Sequence, residues 1–181
     1  DLAEVCLRRT SVDWIVAVEQ NDVTARAAFD AIIETRRLPP ERVRYFEAKS
    51  LDSIWIRDYG PIFLKRQDDG QLFLVDMAYR DLRLPGDPIL QEITPPLRPS
   101  DDMVPIWMAT YLNKPYVHPG LIMNGGDLYA DGAGTLYTSE EALHLNAGDR
   151  DYVSGVFRQY LGVREVRYLA PLPGPAVKHL D

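Results

Sequence analysis

The stretch Ser53-Ile54-Trp55-Ile56-Arg57-Asp58-Tyr59-Gly60-Pro61 combines an apolar wall, a cation, a carboxylate and a Gly-Pro pair in nine residues. Because proline lacks an N–H and restricts the residue before it, Gly60-Pro61 should end the preceding element, which predicts that Asp58 lies on a loop at the mouth of the fold. An aromatic face at Trp55 beside the Asp58 carboxylate suits a flat cation. The structural alternative is a buried Trp55 with a local Arg57–Asp58 ion pair at a strand end.

Composition excludes several classes of function. The chain has 181 residues, of which 46% are hydrophobic, which is enough for one domain with a buried core. Its net charge of −7 argues against a nucleic-acid partner, since phosphate binding requires a basic face. No apolar run approaches the roughly 18 residues of a membrane span, so no membrane partner is expected. No secretory signal is visible, and a cytoplasmic location is predicted, with secretion as the alternative if a signal segment was removed before Asp1.

The first half of the chain predicts a βαβ unit followed by a hairpin. The apolar run 12–18 and residues 43–48 are typical of buried strands, and a helix capped by Asp22 should span residues 23–37 between them. Two further strands, 62–64 and 72–75, flank a turn that ends in Asp69-Gly70 and predict a hairpin. Residues 79–100, which are rich in proline, are interpreted as a long surface loop.

The second half repeats this order of elements. Ser100 is predicted to cap a helix over 101–112, which is followed by a short strand over 115–118. A second hairpin should follow, with a turn at 131–134, and then a short helix from Ser139, a helix ending at Gly162 and a strand over 163–169. Each unit therefore runs helix, strand, polar loop and hairpin, and such repetition suggests a propeller-like assembly of which the third unit is incomplete.

The polar loops supply the candidate site residues Asp58, Asp127, His179 and Asp181. In a strand, His179 and Asp181 would share a face, and a carboxylate beside a histidine suits general acid/base work, although a solvated tail is the simpler interpretation. Gly125-Gly126 allows close approach of a ligand or forms a plain bulge. His118 and His144 are interpreted as structural or surface residues. A metal site is conceivable from the four polar residues, but no spacing requires it.

Three motifs in order resemble the Porphyromonas-type peptidylarginine deiminase and agmatine deiminase family of guanidine-modifying enzymes. They are Trp55-Ile56-Arg57-Asp58-Tyr59-Gly60-Pro61, then Asn124-Gly125-Gly126-Asp127 with Asp131-Gly132-Ala133-Gly134-Thr135-Leu136, and finally His179-Leu180-Asp181. The resemblance implies an α/β propeller with pseudo-fivefold symmetry, of which this chain would hold about three repeats. It also implies that residues 1–181 form a single catalytic domain truncated at its C-terminus and at its N-terminus, and that the reaction needs neither a metal nor a cofactor.

The same resemblance implies roles for individual residues. Asp58 would bind the guanidinium nitrogens with Trp55 lining the site, His179 would be the general acid/base, and Asp181 would hold the other guanidinium edge. Gly125, Gly126 and Asp127 complete the predicted substrate-binding set. The family nucleophile is a cysteine beyond the His-x-Asp motif. This chain has only Cys6, which precedes the first strand and is a poor substitute.

The function expected from the resemblance is hydrolysis of a guanidino substrate, peptidylarginine or agmatine, to a ureido product and ammonia. Two departures from the family pattern are Lys178 in place of glycine and Asp127 in place of asparagine or serine, while Tyr59 favours the peptidylarginine side. The alternatives are a non-catalytic guanidinium-binding fragment and a metal-dependent hydrolase built on the same acidic cluster. The expected partners are the substrate and either the missing C-terminal portion or a second copy of the chain.

Overall fold

Within residues 2–79 and 98–170 the strands form three sheets, each of which contains one parallel pair of strands. The computed structural model describes residues 2–79 and 98–170. The chain divides into two compact units, residues 1–51 and residues 52–181. Among the described residues no helix is long and apolar enough to cross a membrane.

The first unit is a βαβ unit preceded by a helix. It contains α1 (Leu2–Arg9), β1 (Trp14–Glu19), α2 (Val23–Thr35) and β2 (Val43–Ala48). The strands β1 and β2 are parallel, in register from Trp14 opposite Val43 to Glu19 opposite Ala48, which confirms the predicted unit. The Asp22 side chain accepts hydrogen bonds from the N–H groups of Thr24 and Ala25, as a helix N-cap should.

The helix α2 ends before the predicted Arg37 because the backbone turns there. Arg37 has a φ of +50°, in the left-handed region, and its N–H donates to Glu34 O at 2.9 Å. The core of this unit is a small apolar cluster of Leu7, Ile33 and Leu38 packed against Trp14 and Val43. The proline pair 39–40 then leads through a short 3-10 turn, Pro40–Arg42, into β2.

The second unit contains two three-stranded sheets built in the same way. The elements are α3 (Ile56–Tyr59), β3 (Ile62–Lys65), β4 (Leu72–Val75), α4 (Pro99–Asp102), α5 (Val104–Leu112) and β5 (Tyr116–Val117), then β6 (Tyr129–Ala130), β7 (Thr135–Ser139), α6 (Glu141–Leu145), α7 (Arg150–Leu161) and β8 (Glu165–Leu169). In each sheet an antiparallel hairpin, β3–β4 or β6–β7, is followed by a strand parallel to its second member. Both predicted hairpins are confirmed.

One helix prediction in this unit is wrong in detail. Ser100 does not cap a helix over 101–112; it lies inside the one-turn helix α4, and a break at Met103 separates α4 from α5. Pro105 in the first turn of α5 has no N–H to donate to Asp101 O, so the two turns cannot merge into one regular helix. Of the predicted surface loop over 79–100, residues 80–97 lie outside the described residues, and Tyr79 is buried.

The core of the second unit joins the two sheets through α6 and α7. It is formed by the buried side chains Val75, Met77, Leu121, Met123, Leu136, Ala142, Val153, Val156 and Phe157. The architecture is therefore a mixed α/β fold, as predicted. Among the described residues no sheet closes on itself.

Candidate functional site

Asp58 lies on a one-turn helix and not on the predicted loop. The N–H of Asp58 donates to Trp55 O at 2.8 Å, and the N–H of Gly60 donates to Ile56 O at the same distance, which winds residues 55–60 into α3. Gly60-Pro61 still ends the element, as predicted. Trp55 is 53% exposed, so the alternative of a buried tryptophan is wrong, and Asp58 is half-buried.

Two aspartates fix the approach to α3 by exchanging hydrogen bonds. Asp101 is fully buried, and its carboxylate accepts from the N–H of Asp52 at 2.9 Å, the N–H of Ser53 at 3.3 Å and the Ser53 hydroxyl at 2.6 Å. In return, the Asp52 carboxylate accepts from the N–H groups of Ser100 and Asp101 at the start of α4. Bonds to a charged acceptor are the stronger kind, so this pair holds residues 52–53 rigidly against α4.

Gly125, Gly126 and Asp127 form a 3-10 turn that packs directly on α3. All three residues are buried, and Asp127 is completely so. A Cβ placed on Gly125 would lie 2.2 Å from Arg57 O and 3.3 Å from Asp58 O. Glycine is therefore required at 125 for close approach of the two turns. This contact is with the backbone of α3, whereas the sequence suggested a contact with a ligand or a plain bulge.

The Arg57 side chain joins the same two turns from the other direction. Its Nη2 donates to Leu128 O at 3.2 Å, and its guanidinium carbon lies 5.5 Å from the centre of the Tyr129 ring. A cation over an aromatic face adds a modest attraction to the hydrogen bond. The backbone contact at Gly125 and this side-chain contact together hold α3, which carries Asp58, against the turn that carries Asp127.

Tyr59, which follows Asp58 in the chain, forms a buried aromatic pair with Tyr79. Their ring centres are 5.6 Å apart, and the Tyr59 hydroxyl donates to Ser53 O at 2.9 Å. Burial raises the pKa of Tyr79, the hydrogen bond and charge of Arg98 oppose that shift, and the negative charge of Asp58 adds to it. The N–H of Tyr79 donates to the carboxylate of Asp102.

A pair between Asp76 and His118 was not predicted from the sequence. Nδ1 of His118 lies 3.2 Å from Oδ2 of Asp76, and the Asp76 side chain is only 6% exposed. Burial raises the pKa of Asp76, and His118 partly offsets that shift. The signal that could have found the pair is positional: Asp76 directly follows β4 and His118 directly follows β5, and these strands are parallel neighbours.

The structure thus brings together one part of the predicted site. Asp58 on α3 and the Gly125–Asp127 turn are in contact, and Trp55 lies at the start of α3 with much of its ring exposed. His179 and Asp181 lie outside the described residues, so their predicted approach to Asp58 stays a prediction. Within residues 2–79 and 98–170, no group of three or more His, Cys, Asp or Glu side chains is arranged to hold a metal ion.

Comparison with known proteins identifies the family of this arrangement. The profile of the Porphyromonas-type peptidyl-arginine deiminases matches residues 1–179. The chain belongs to this family. It is 30% identical over 167 residues to an agmatine deiminase of Stutzerimonas stutzeri, a match that spans 86% of this chain and 39% of that protein.

Two solved structures show the same fold. An agmatine deiminase of Enterococcus faecalis is 23% identical, with a TM-score of 0.64 over 87% of this chain and 40% of that chain. An agmatine deiminase of C. jejuni is 16% identical, with a TM-score of 0.66 over 94% of this chain and 44% of that chain. The chain therefore spans less than half the length of the curated relatives and structures that it matches.

Proposed function

We propose that this chain carries the guanidinium-binding part of an enzyme that hydrolyses a guanidino substrate to a ureido product and ammonia. The observation that carries the proposal is the direct contact between α3, with Asp58, and the glycine turn, with Asp127, in a chain that belongs to the deiminase family. Asp58 is half-buried beside the exposed Trp55 ring, an arrangement that offers a guanidinium both an in-plane acceptor and an aromatic face.

The proposed chemistry divides the work between residues of this chain and a nucleophile outside it. Asp58 and Asp181 would each take one edge of the planar guanidinium, and His179 would protonate the leaving ammonia and activate water. A cysteine thiolate would attack the guanidinium carbon. The only cysteine here is Cys6, on α1 of the first unit, and we do not assign it that role.

The substrate is proposed to be agmatine or a peptidylarginine. The relatives named above are agmatine deiminases, whereas the family description names peptidyl-arginine. A non-catalytic guanidinium-binding fragment is the second candidate, because the proposed nucleophile is not among the residues of this chain. We propose about three of five propeller repeats, which agrees with the three parallel strand pairs of the described residues.

Calorimetric titration with agmatine tests the binding part of the proposal. Asp58→Asn should weaken binding by about 10- to 100-fold, since it removes a charged acceptor from a cationic ligand. Asp151→Asn is the matched control, because Asp151 is an exposed carboxylate in the first turn of α7. Equal binding by the two variants would contradict the role of Asp58.

Release of a ureido product tests the assignment of the nucleophile. The chain is assayed with agmatine, with free arginine and with a peptidylarginine, and no turnover is expected, because loss of the nucleophile removes most of the rate of a covalent mechanism. Cys6→Ser is assayed beside it. Turnover that disappears in Cys6→Ser would show that Cys6 is the nucleophile and that our assignment is wrong.

A further inference from the structure

The segment that leads into the glycine turn is paired with a strand on one side only. The N–H of Ala78 donates to Leu121 O at 2.8 Å, and the N–H of Met123 donates to Ala78 O at 3.0 Å. In a parallel bridge of this kind, the N–H and C=O of the middle residue, Ile122, point to the opposite side. Another strand would normally pair with those two groups, and among the described residues no strand does.

The side chain of Asn146 takes the place of that strand. Its Oδ1 accepts from the N–H of Ile122 at 3.0 Å, and its Nδ2 donates to Ile122 O at 2.8 Å and to Ala142 O at 2.7 Å. The acceptor oxygen and both donor hydrogens of the carboxamide are therefore used. A carboxamide carries a donor and an acceptor side by side, as a peptide group does, so it can bind both backbone groups of one residue.

The end of α6 holds this carboxamide in place. Asn146 ends the helix, and its N–H donates to Leu143 O at 3.0 Å. Ala147 and Gly148 follow with positive φ angles of +62° and +74°, and the N–H of Gly148 donates to Leu143 O at 2.7 Å, which closes the helix tightly. Ala142, whose carbonyl accepts from the carboxamide, is part of the buried core of the second unit. The carboxamide thus ties the segment before the glycine turn to a fixed element of the core.

The segment depends on this tie because regular strand pairing is interrupted just before it. The N–H of Asp76 donates to Val117 O, and the next bond runs from the N–H of Ala78 to Leu121 O. A step of two residues on one side of the ladder therefore faces a step of four on the other, and residues 118–120 bulge out of it. A bulge bends its strand and disrupts the ladder, so the pairing of β4 with β5 does not by itself fix the direction in which the chain continues.

We infer that Asn146 is a positioning residue for the candidate site: by binding both backbone groups of Ile122, it fixes the glycine turn against α3. The inference rests on the proposed function in one respect, because it names a residue that supports one side of the proposed guanidinium site. Gly125 in that turn lies against Arg57 O, so any displacement of the turn alters its contact with the helix that carries Asp58. Asn146 acts through the turn and not on the substrate.

Hydrogen exchange tests the inference in the full chain without substrate. Asn146→Asp keeps the acceptor for the N–H of Ile122 but places a carboxylate oxygen against two carbonyl oxygens, those of Ile122 and Ala142. The amides of Asp127 and Leu128, which donate to carbonyls within the turn, report its opening. We expect their exchange at pH 7 to accelerate by about 10-fold in this variant.

Asn113→Asp is the matched control, because Asn113 ends α5 as Asn146 ends α6, but its side chain is exposed. It adds the same charge and should change the exchange rates of the turn by less than about 2-fold. A pH series gives a readout that general destabilisation would not produce. The carboxyl group introduced by Asn146→Asp regains an O–H donor when it is protonated, so its difference from wild type should narrow as the pH falls toward about 4.

Calorimetric titration with agmatine connects the turn to the proposed function. Asn146→Asp should weaken binding by about 10-fold and Asn113→Asp by less than about 2-fold, since both variants add one negative charge but only the first disturbs the turn. Absence of binding to the wild-type chain would contradict the proposed function. The exchange rates of the turn would then decide the role of Asn146 by themselves, so the two failures are distinguishable.

The pattern of exchange along the chain decides between local positioning and general stability. Unchanged exchange at Asp127 and Leu128, or an equal acceleration throughout the second unit, would overturn the inference. If Asn146→Asp does not fold, Asn146→Gln replaces it, because glutamine keeps the carboxamide but moves it by one methylene group. That variant should accelerate exchange at the turn and not in α7, and the same two outcomes would overturn the inference.

Discussion

The sheets β3–β4–β5 and β6–β7–β8 repeat one backbone arrangement but differ in the side chains that follow it. In the first sheet the N–H of Asp76 donates to Val117 O at 2.9 Å, and in the second the N–H of Glu140 donates to Leu169 O at 3.0 Å, so Asp76 and Glu140 occupy equivalent positions. Asp76 is buried beside His118, whereas Glu140 is 41% exposed and faces Arg150. The repeated backbone therefore places an acidic residue at the same position in both sheets. The surrounding side chains determine whether its carboxylate is buried beside a histidine or exposed beside an arginine.

The turns that lead into the two sheets differ in a similar way. A Cβ on Gly60, before β3, would lie 2.5 Å from Ile56 O of its own turn, whereas a Cβ on Gly125, before β6, would lie 2.2 Å from Arg57 O of the other turn. The first glycine closes a local turn, and the second joins two turns that are distant in sequence. Gly125 is therefore the position at which a small change should disturb the candidate site most.

The largest expected effect is that of Gly125→Ala. The added methyl group would meet a backbone carbonyl, which cannot move aside as a flexible side chain could, so we expect a loss of about 3 kcal/mol in the free energy of unfolding. Urea-induced unfolding measures it. Gly155→Ala in α7 is the control: a Cβ there meets nothing within 4 Å, and alanine should stabilise the helix by about 0.5–1 kcal/mol. Equal stability of the two variants would contradict the close contact at Gly125.

The next largest effect is expected at Asp101, whose hydrogen bonds hold residues 52–53, just before α3, against α4. Asp101→Asn keeps one acceptor oxygen but loses the charge, and it places an amide N–H₂ where the carboxylate accepts hydrogen bonds from Asp52 and Ser53. We expect a loss of about 2 kcal/mol in the free energy of unfolding. Asp68→Asn, in the β3–β4 turn, is the matched control, because the Asp68 side chain is 77% exposed. If urea unfolding gave the same free energy of unfolding for both variants, the hydrogen bonds accepted by Asp101 would contribute little to stability.

The sequence was sufficient to predict the elements that depend on local patterns. The strand over 43–48, the Asp22 cap, both hairpins and the helix that ends at Gly162 follow from apolar periodicity and turn residues, and all are confirmed. The sequence assigns Asp58 and the glycine turn to one predicted substrate-binding set, but it does not predict how they touch. Their contact, Gly125 against Arg57 O, joins residues more than 60 positions apart, and no local pattern contains such a contact.

The residues that were missed share one property, which is that their partners are distant in sequence. Asp52 with Asp101 and Asp76 with His118 are each separated by more than 40 positions. The sequence places Asp101 only at the start of the helix predicted over 101–112, and it indicates for His118 only a structural or surface position. Their roles depend on which strands and helices are neighbours, and that information comes from the fold.

A pH titration of stability sharpens the comparison between Asp76 and Glu140. Because burial raises the pKa of Asp76 above its ordinary value of 3.8, the folded protein binds a proton there more readily than the unfolded chain does. The resulting stabilisation is present below pH 3.8 and is lost as the pH rises through the folded-state pKa. Asp76→Asn carries no charge, so its stability relative to wild type should increase between about pH 3.5 and about pH 7, as measured by urea unfolding. A constant difference across that range would show that Asp76 has no raised pKa.

The smallest effect is expected for Glu140→Gln, the equivalent substitution in the second sheet. The Glu140 carboxylate lies 3.6 Å from Arg150, and both side chains are well exposed, so solvent screens their attraction. We therefore expect a change below about 0.5 kcal/mol in the free energy of unfolding, measured at neutral pH beside Asp76→Asn. A loss of about 1 kcal/mol or more at Glu140 would contradict this expectation, because it would mean that the exposed ion pair supports its sheet despite solvent screening.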